Sequence, residues 1–170
     1  MSDTTFVPGL KKTGFRFDLS HAILLIVAGG LSTVAWEIWA NLLAPLWIGG
    51  PLVPASLVKA ALGVKSLELA QAIHFATGLI LFPAGYLYVA RPIANAITPW
   101  LSPTLLAATY GVALWVFAMY GMAHLVAGMP PFLNFIPLTW ASLVGHVILG
   151  VVLGGVIEFG LKAAGSRFHS

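Results

Sequence analysis

The chain reads as an all-α integral membrane protein, a four-helix bundle running up-down-up-down within a single transmembrane domain over residues 1–170. Three observations predict this. Of its residues, 59% are hydrophobic and 8% charged, and the mean hydropathy is +0.97, whereas soluble domains carry about a quarter charged residues. Four apolar runs each reach the roughly 20 residues that a helix needs to cross a bilayer. Prolines fall between these runs, with Pro83 the exception. This composition excludes a soluble domain, a disordered chain and a nucleic-acid binder. The eight Lys/Arg against five Asp/Glu are too scattered to form a polyanion-binding patch. With no cysteine, disulfides, thiolate ligands and iron-sulfur clusters are excluded too.

The first run covers residues 21–44 and ends at Pro45 and Gly49-Gly50-Pro51. The second covers 67–90 and ends at Arg91-Pro92; the third, 104–127, lies between Pro103 and Pro130-Pro131. The fourth, 138–161, lies between Pro137 and Lys162. Pro83 is expected to bend the second span and leave the Leu79 carbonyl without its helical donor, a loss that a neighbouring helix can offset. Lys11, Lys12, Arg16, Arg91, Lys162 and Arg167 fall on one side, and Lys59 and Lys65 on the other. Six against two places both termini in the cytoplasm. Trp47, Trp100 and Trp140 sit at span ends as interfacial anchors. Residues 55–65 are short and amphipathic and are expected to lie along the outer surface. No signal peptide or appended soluble domain is expected.

Spans two and four share a pattern, His74-x-x-x-Gly78-x-x-Leu81 and His146-x-x-x-Gly150-x-x-Leu153. Ala40-Asn41-Leu42 against Ala123-His124-Leu125 lets spans one and three overlay as well, so the chain resembles two parallel hairpins.

An ionisable group at the bilayer centre costs at least about 2.5–3.5 kcal/mol, so each one needs a reason. At about 1.5 Å per residue, Glu37, His74, His124 and His146 all lie roughly 9–14 Å below the outer surface. Helical spacing aligns Gly30, Thr33, Glu37 and Asn41 on span one, and Gln71, His74, Gly78, Leu81 and Gly85 on span two. It likewise aligns Phe117, Tyr120, Gly121 and His124 on span three, and His146, Gly150, Leu153 and Ile157 on span four. A polar cluster in the outer half of the bundle is the expectation, with Trp36, Trp39, Met119 and Met122 nearby. Away from it, His21 is expected at the inner interface beside Asp18 and Ser20. Glu68 complements the helix dipole in the first turn of span two, Glu158 is spaced to pair with Lys162, and His169 lies on a tail.

His74 and His146 on facing helices suit bis-histidine haem b, with Gly78 and Gly150 one turn deeper giving clearance to the ring; such a protein would serve electron transfer. Alternatively Glu37, His74 and His146, with His124 or a Met, hold a transition metal, copper, iron or zinc. Tyr120 is a second-rank candidate beside His124. In a third reading the polar groups only specify packing, and the chain is an accessory or assembly subunit of a larger membrane complex, or a homo-oligomer. No phosphate loop, zinc-protease motif or serine-hydrolase elbow occurs.

Glu37-Ile38-Trp39, His74 with Gly78, Met119 with Met122, and Ser142-Leu143-Val144-Gly145-His146 leading to Gly150 together resemble a loose group of four-span bacterial inner-membrane proteins, the YagU-like proteins and related families of unknown function. Ile38 separates an acidic residue and a Trp that are adjacent in that group. The resemblance implies a compact helical protein of the bacterial inner membrane, linked to envelope or acid-stress physiology, and supplies no chemistry.

Overall fold

The computed structural model describes residues 19–166, with side-chain surroundings as far as residue 164. Lys11, Lys12, Arg16, Asp18, Arg167 and His169 therefore lie outside the described residues. Among the described residues four helices are long and apolar enough to cross a membrane: α1 (Leu19–Ile48), α3 (Leu67–Ile97), α4 (Pro103–Val126) and α5 (Pro137–Ser166). A short helix, α2 (Pro54–Leu62), joins α1 to α3. Leu31, Val34, Leu42, Ile80, Leu81 and Phe159 are all exposed. An outward surface of that kind is one that lipid, rather than water, satisfies.

The spans outrun the stops expected from proline. α1 passes Pro45 to Ile48 and closes at Gly49, whose φ of 78° suits a residue without a Cβ. α3 passes Arg91-Pro92 to Ile97. In both places a π-helical turn precedes the proline, at Trp39–Leu43 and Tyr86–Ala90, so the missing N–H falls where the hydrogen-bond ladder is already rephased. The Trp39–Leu43 turn leaves a carbonyl over. The Ala44 N–H bonds to the Trp39 oxygen, Pro45 has no N–H to give, and the Ala40 oxygen accepts instead from Leu52 N at 3.0 Å. The chain is thereby drawn back over the end of α1 and into α2.

α5 packs against both α1 and α4, and α1 also packs on α3 near Thr77–Leu81. Close approach depends on glycine. A Cβ on Gly29 would collide with the Leu79 backbone, and a Cβ on Gly111 would meet the backbone of His146 and Val147. Leu25, Ala28, Ala107, Leu149, Leu153 and Ile157 form the centre of the packed core.

Between α4 and α5 the chain makes a left-handed turn at Pro131–Phe135, with φ between 47° and 54° at Phe132, Leu133, Asn134 and Phe135. Such a conformation costs about 1–2 kcal/mol for each residue with a Cβ. Offsetting contacts are present: Thr139 Oγ1 donates to the Phe132 carbonyl at 2.9 Å, and the Phe132 ring lies 5.0 Å from Trp115 and 5.2 Å from Phe135.

Candidate functional site

Two imidazoles and an indole meet on the wall of a cavity. The Trp36 ring centroid lies 4.7 Å from that of His146 on α5, edge-on, and 6.4 Å from that of His74 on α3. Trp36 is directed inward because Leu25, Ala28, Ser32, Trp36 and Ala40 recur every three or four residues as the buried stripe of α1. Gly145 makes the room: a Cβ there would stand 2.5 Å from Trp36 Cζ3 and 2.8 Å from Trp39 Cδ1. Trp39 then anchors the crossing by donating Nε1–H to the Ala141 carbonyl at 2.8 Å.

His146, only 8% exposed, is aimed by its own helix. Its Nδ1 lies 2.8 Å from the Ser142 carbonyl oxygen and 3.3 Å from Ser142 Oγ. A carbonyl can only accept, so Nδ1 carries the proton and Nε2 retains its lone pair. Among the described residues neither His146 Nε2 nor the ring nitrogens of His74 find a hydrogen-bond partner, and the Trp36 Nε1–H is buried with none.

The cavity measures about 450 Å³, within the roughly 300–1,000 Å³ usual for small-molecule sites. Leu57, Val58 and Ala61 of α2 cover it. Ile73 and Leu81 of α3, Met119 and Met122 of α4, and Leu149 of α5 supply much of the wall. Thr77 also lines it, but its hydroxyl is spent on the Ile73 carbonyl at 2.8 Å. The amphipathic segment expected on the outer surface thus turns Pro54, Ser56, Leu57, Val58 and Ala61 to the cavity and leaves Lys59 and Ala60 exposed.

Other candidates fall elsewhere. Glu37 does not line the cavity: Asn41 Nδ2 donates to its Oε2 at 2.8 Å and to its carbonyl at 3.0 Å, so the carboxylate is satisfied along its own helix. His124 Nδ1 donates to the Met129 carbonyl at 2.8 Å and closes the end of α4, with the ring of Tyr120, 40% exposed, tilted against it. Gly78 and Gly150 are helix crossings rather than clearance for a ring. A Cβ on Gly78 would come 2.9 Å from Thr33 Oγ1, and one on Gly150 would collide with the Ala107 carbonyl and the Gly111 backbone. The two halves of the repeat also differ in setting, since Leu81 is 63% exposed and Leu153 wholly buried. Among the described residues no group of three or more His, Asp or Glu stands ready to hold a metal ion. The four expected ligands Glu37, His74, His124 and His146 are therefore not brought together.

Away from the cavity, Glu158 pairs across the bundle with Arg91 Nε at 2.7 Å rather than along its helix with Lys162, and Tyr86 OH donates to the same Glu158 oxygen at 3.5 Å.

No protein-family model matches the chain, and no curated protein or solved structure does so.

Proposed function

We propose that this protein binds an apolar small molecule inside the bundle, in the bacterial cytoplasmic membrane, with both termini inside and the spans alternating in direction. The single observation that carries this is the cavity of about 450 Å³, whose wall is largely apolar and on which Trp36, His74 and His146 stand together. Lipid is as apolar as the cavity wall, so a guest drawn from the bilayer gains little from burial alone. Preference must come from shape and from the polar cluster, which is the division of labour found in small-molecule sites. Six positive charges against two support the orientation, which turns the α2 cover to the outer side. The resemblance to YagU-like proteins is compatible with it.

Haem b or a copper, iron or zinc ion would find less here. Two imidazoles remain of the expected ligands, and the glycines meant to clear a porphyrin are filled by neighbouring helices.

The test is extraction of protein purified in nanodiscs, followed by mass spectrometry of the extract, beside Ala61→Trp, which puts an indole into the cavity from its cover. The wild type is expected to carry a specific apolar molecule at close to one per chain, and the variant to lose it with its helix content unchanged. Identical extracts from the two would overturn the proposal.

A further inference from the structure

The polar corner of the cavity indicates what kind of head group its guest carries, an inference that rests on the cavity being a binding site. His146 Nε2 is fixed as an acceptor by the Nδ1 bond to Ser142, and it lacks a donor. His74 lines the same cavity with both ring nitrogens unpartnered, so its neutral imidazole offers one N–H and one lone pair. Both rings lie against Trp36, whose buried N–H also wants an acceptor. An unmatched buried donor or acceptor is unfavourable, and a group that both gives and accepts a hydrogen bond removes two such deficits at once.

From this we infer that the cavity selects a hydroxyl-headed amphiphile. Its O–H donates to His146 Nε2 while the same oxygen accepts from His74, and its chain lies along Leu57, Met119 and Leu149. An alkane satisfies none of these groups, and a ketone satisfies only the donors. A carboxylate brings a charge to a corner where no cation lines the wall, and presents its lone pairs to that of His146. An alcohol, a quinol and a sterol share the selecting chemistry, and chain length and ring shape separate them.

The experiment uses full-length protein in nanodiscs, with ¹⁵N-labelled histidine, titrated with decanol, 2-decanone, decane and decanoate. Decanol is expected to bind about tenfold more tightly than either the ketone or the alkane, the worth of a hydrogen-bonded group in a buried site. It should also shift the Nε2 resonance of His146, which decane should not do. His146→Phe is expected to keep decane binding and lose the preference for decanol. Equal affinity of decane and decanol in the wild type would mean that water already satisfies the imidazoles, and would overturn the inference while leaving the cavity a binding site. Failure of all four to bind would overturn the proposed function itself. Because the wild-type series is decisive alone, a poorly folding His146→Phe does not blunt the test.

Discussion

Gly150→Ala and Gly155→Ala add the same methyl group to the same helix five residues apart, and the surroundings decide what each does. At Gly155 nothing lies within 4 Å of the new Cβ, whereas at Gly150 it collides with the Ala107 carbonyl and stands 2.8 Å from the backbone of Gly111. Ordinary contact begins near 3.4 Å, so α4 and α5 must part by several tenths of an ångström or more, and no flexible side chain is available to yield. Both substitutions gain the same intrinsic helix preference, about 1 kcal/mol, and this cancels between them. What remains is overpacking, about 1–3 kcal/mol. Gly150→Ala should therefore be less stable than Gly155→Ala by about that amount when helix content is followed through denaturant unfolding in mixed micelles. The deficit should be present in protein stripped of any guest. Equal stability of the two, or a deficit only when a ligand is bound, would show that Gly150 clears a cofactor and does not seat a helix.

Other expectations follow from particular contacts. Trp39→Phe removes the bond to the Ala141 carbonyl and should cost about 1 kcal/mol in the same assay; no loss would mean that this bond does not hold α1 to α5. A double-mutant cycle on Arg91→Gln and Glu158→Gln should give a coupling of about 1 kcal/mol, since the arginine is partly exposed and screened; zero coupling would reduce the pair to a passive contact. Because the chain has no cysteine, Lys59→Cys gives a single labelling site, and a membrane-impermeant maleimide should modify it in intact cells; protection there with labelling only after lysis would invert the topology. Pyridine haemochrome and elemental analysis of the purified protein should find neither haem nor transition metal near one per chain, and a stoichiometric haem would reinstate the bis-histidine reading.

The spans could be read from composition because lipid tolerates only apolar helices of sufficient length, and that constraint is written in every residue. The inward faces were another matter. On α5 the row His146, Gly150, Leu153 and Ile157 is buried as helical spacing predicts, because that helix is enclosed by α1 and α4 and its small residues can only be crossings. On α1 the polar Glu37 and Asn41 drew attention to their own stripe, although a carboxylate and an amide four residues apart can satisfy each other. The row of Ala28, Ser32, Trp36 and Ala40, small but for one indole, was the truer sign. On α4 the residues of Phe117–Val126 follow π geometry, so counting at about 100° per residue drifts; Met119 and Ala123 are buried while Phe117 and Tyr120 are exposed. That His74 and His146 would share a wall was visible in their depth. The indole between them depended on a glycine at 145 whose role only the crossing of α1 and α5 defines.

The bond from Leu52 N to the Ala40 oxygen joins two main-chain atoms, and this sets the terms on which the roof of the chamber can be loosened. Exchanging side chains at either position leaves the tether in place, so an alanine scan across this corner would pass over it in silence. Only a change that deletes the amide hydrogen, such as Leu52→Pro or an ester at that linkage, cuts the tie between the first span and its cover. Conversely, the proline at 45 that frees the Ala40 oxygen serves the cover from seven residues away, and restoring an N–H there would set two donors competing for one carbonyl.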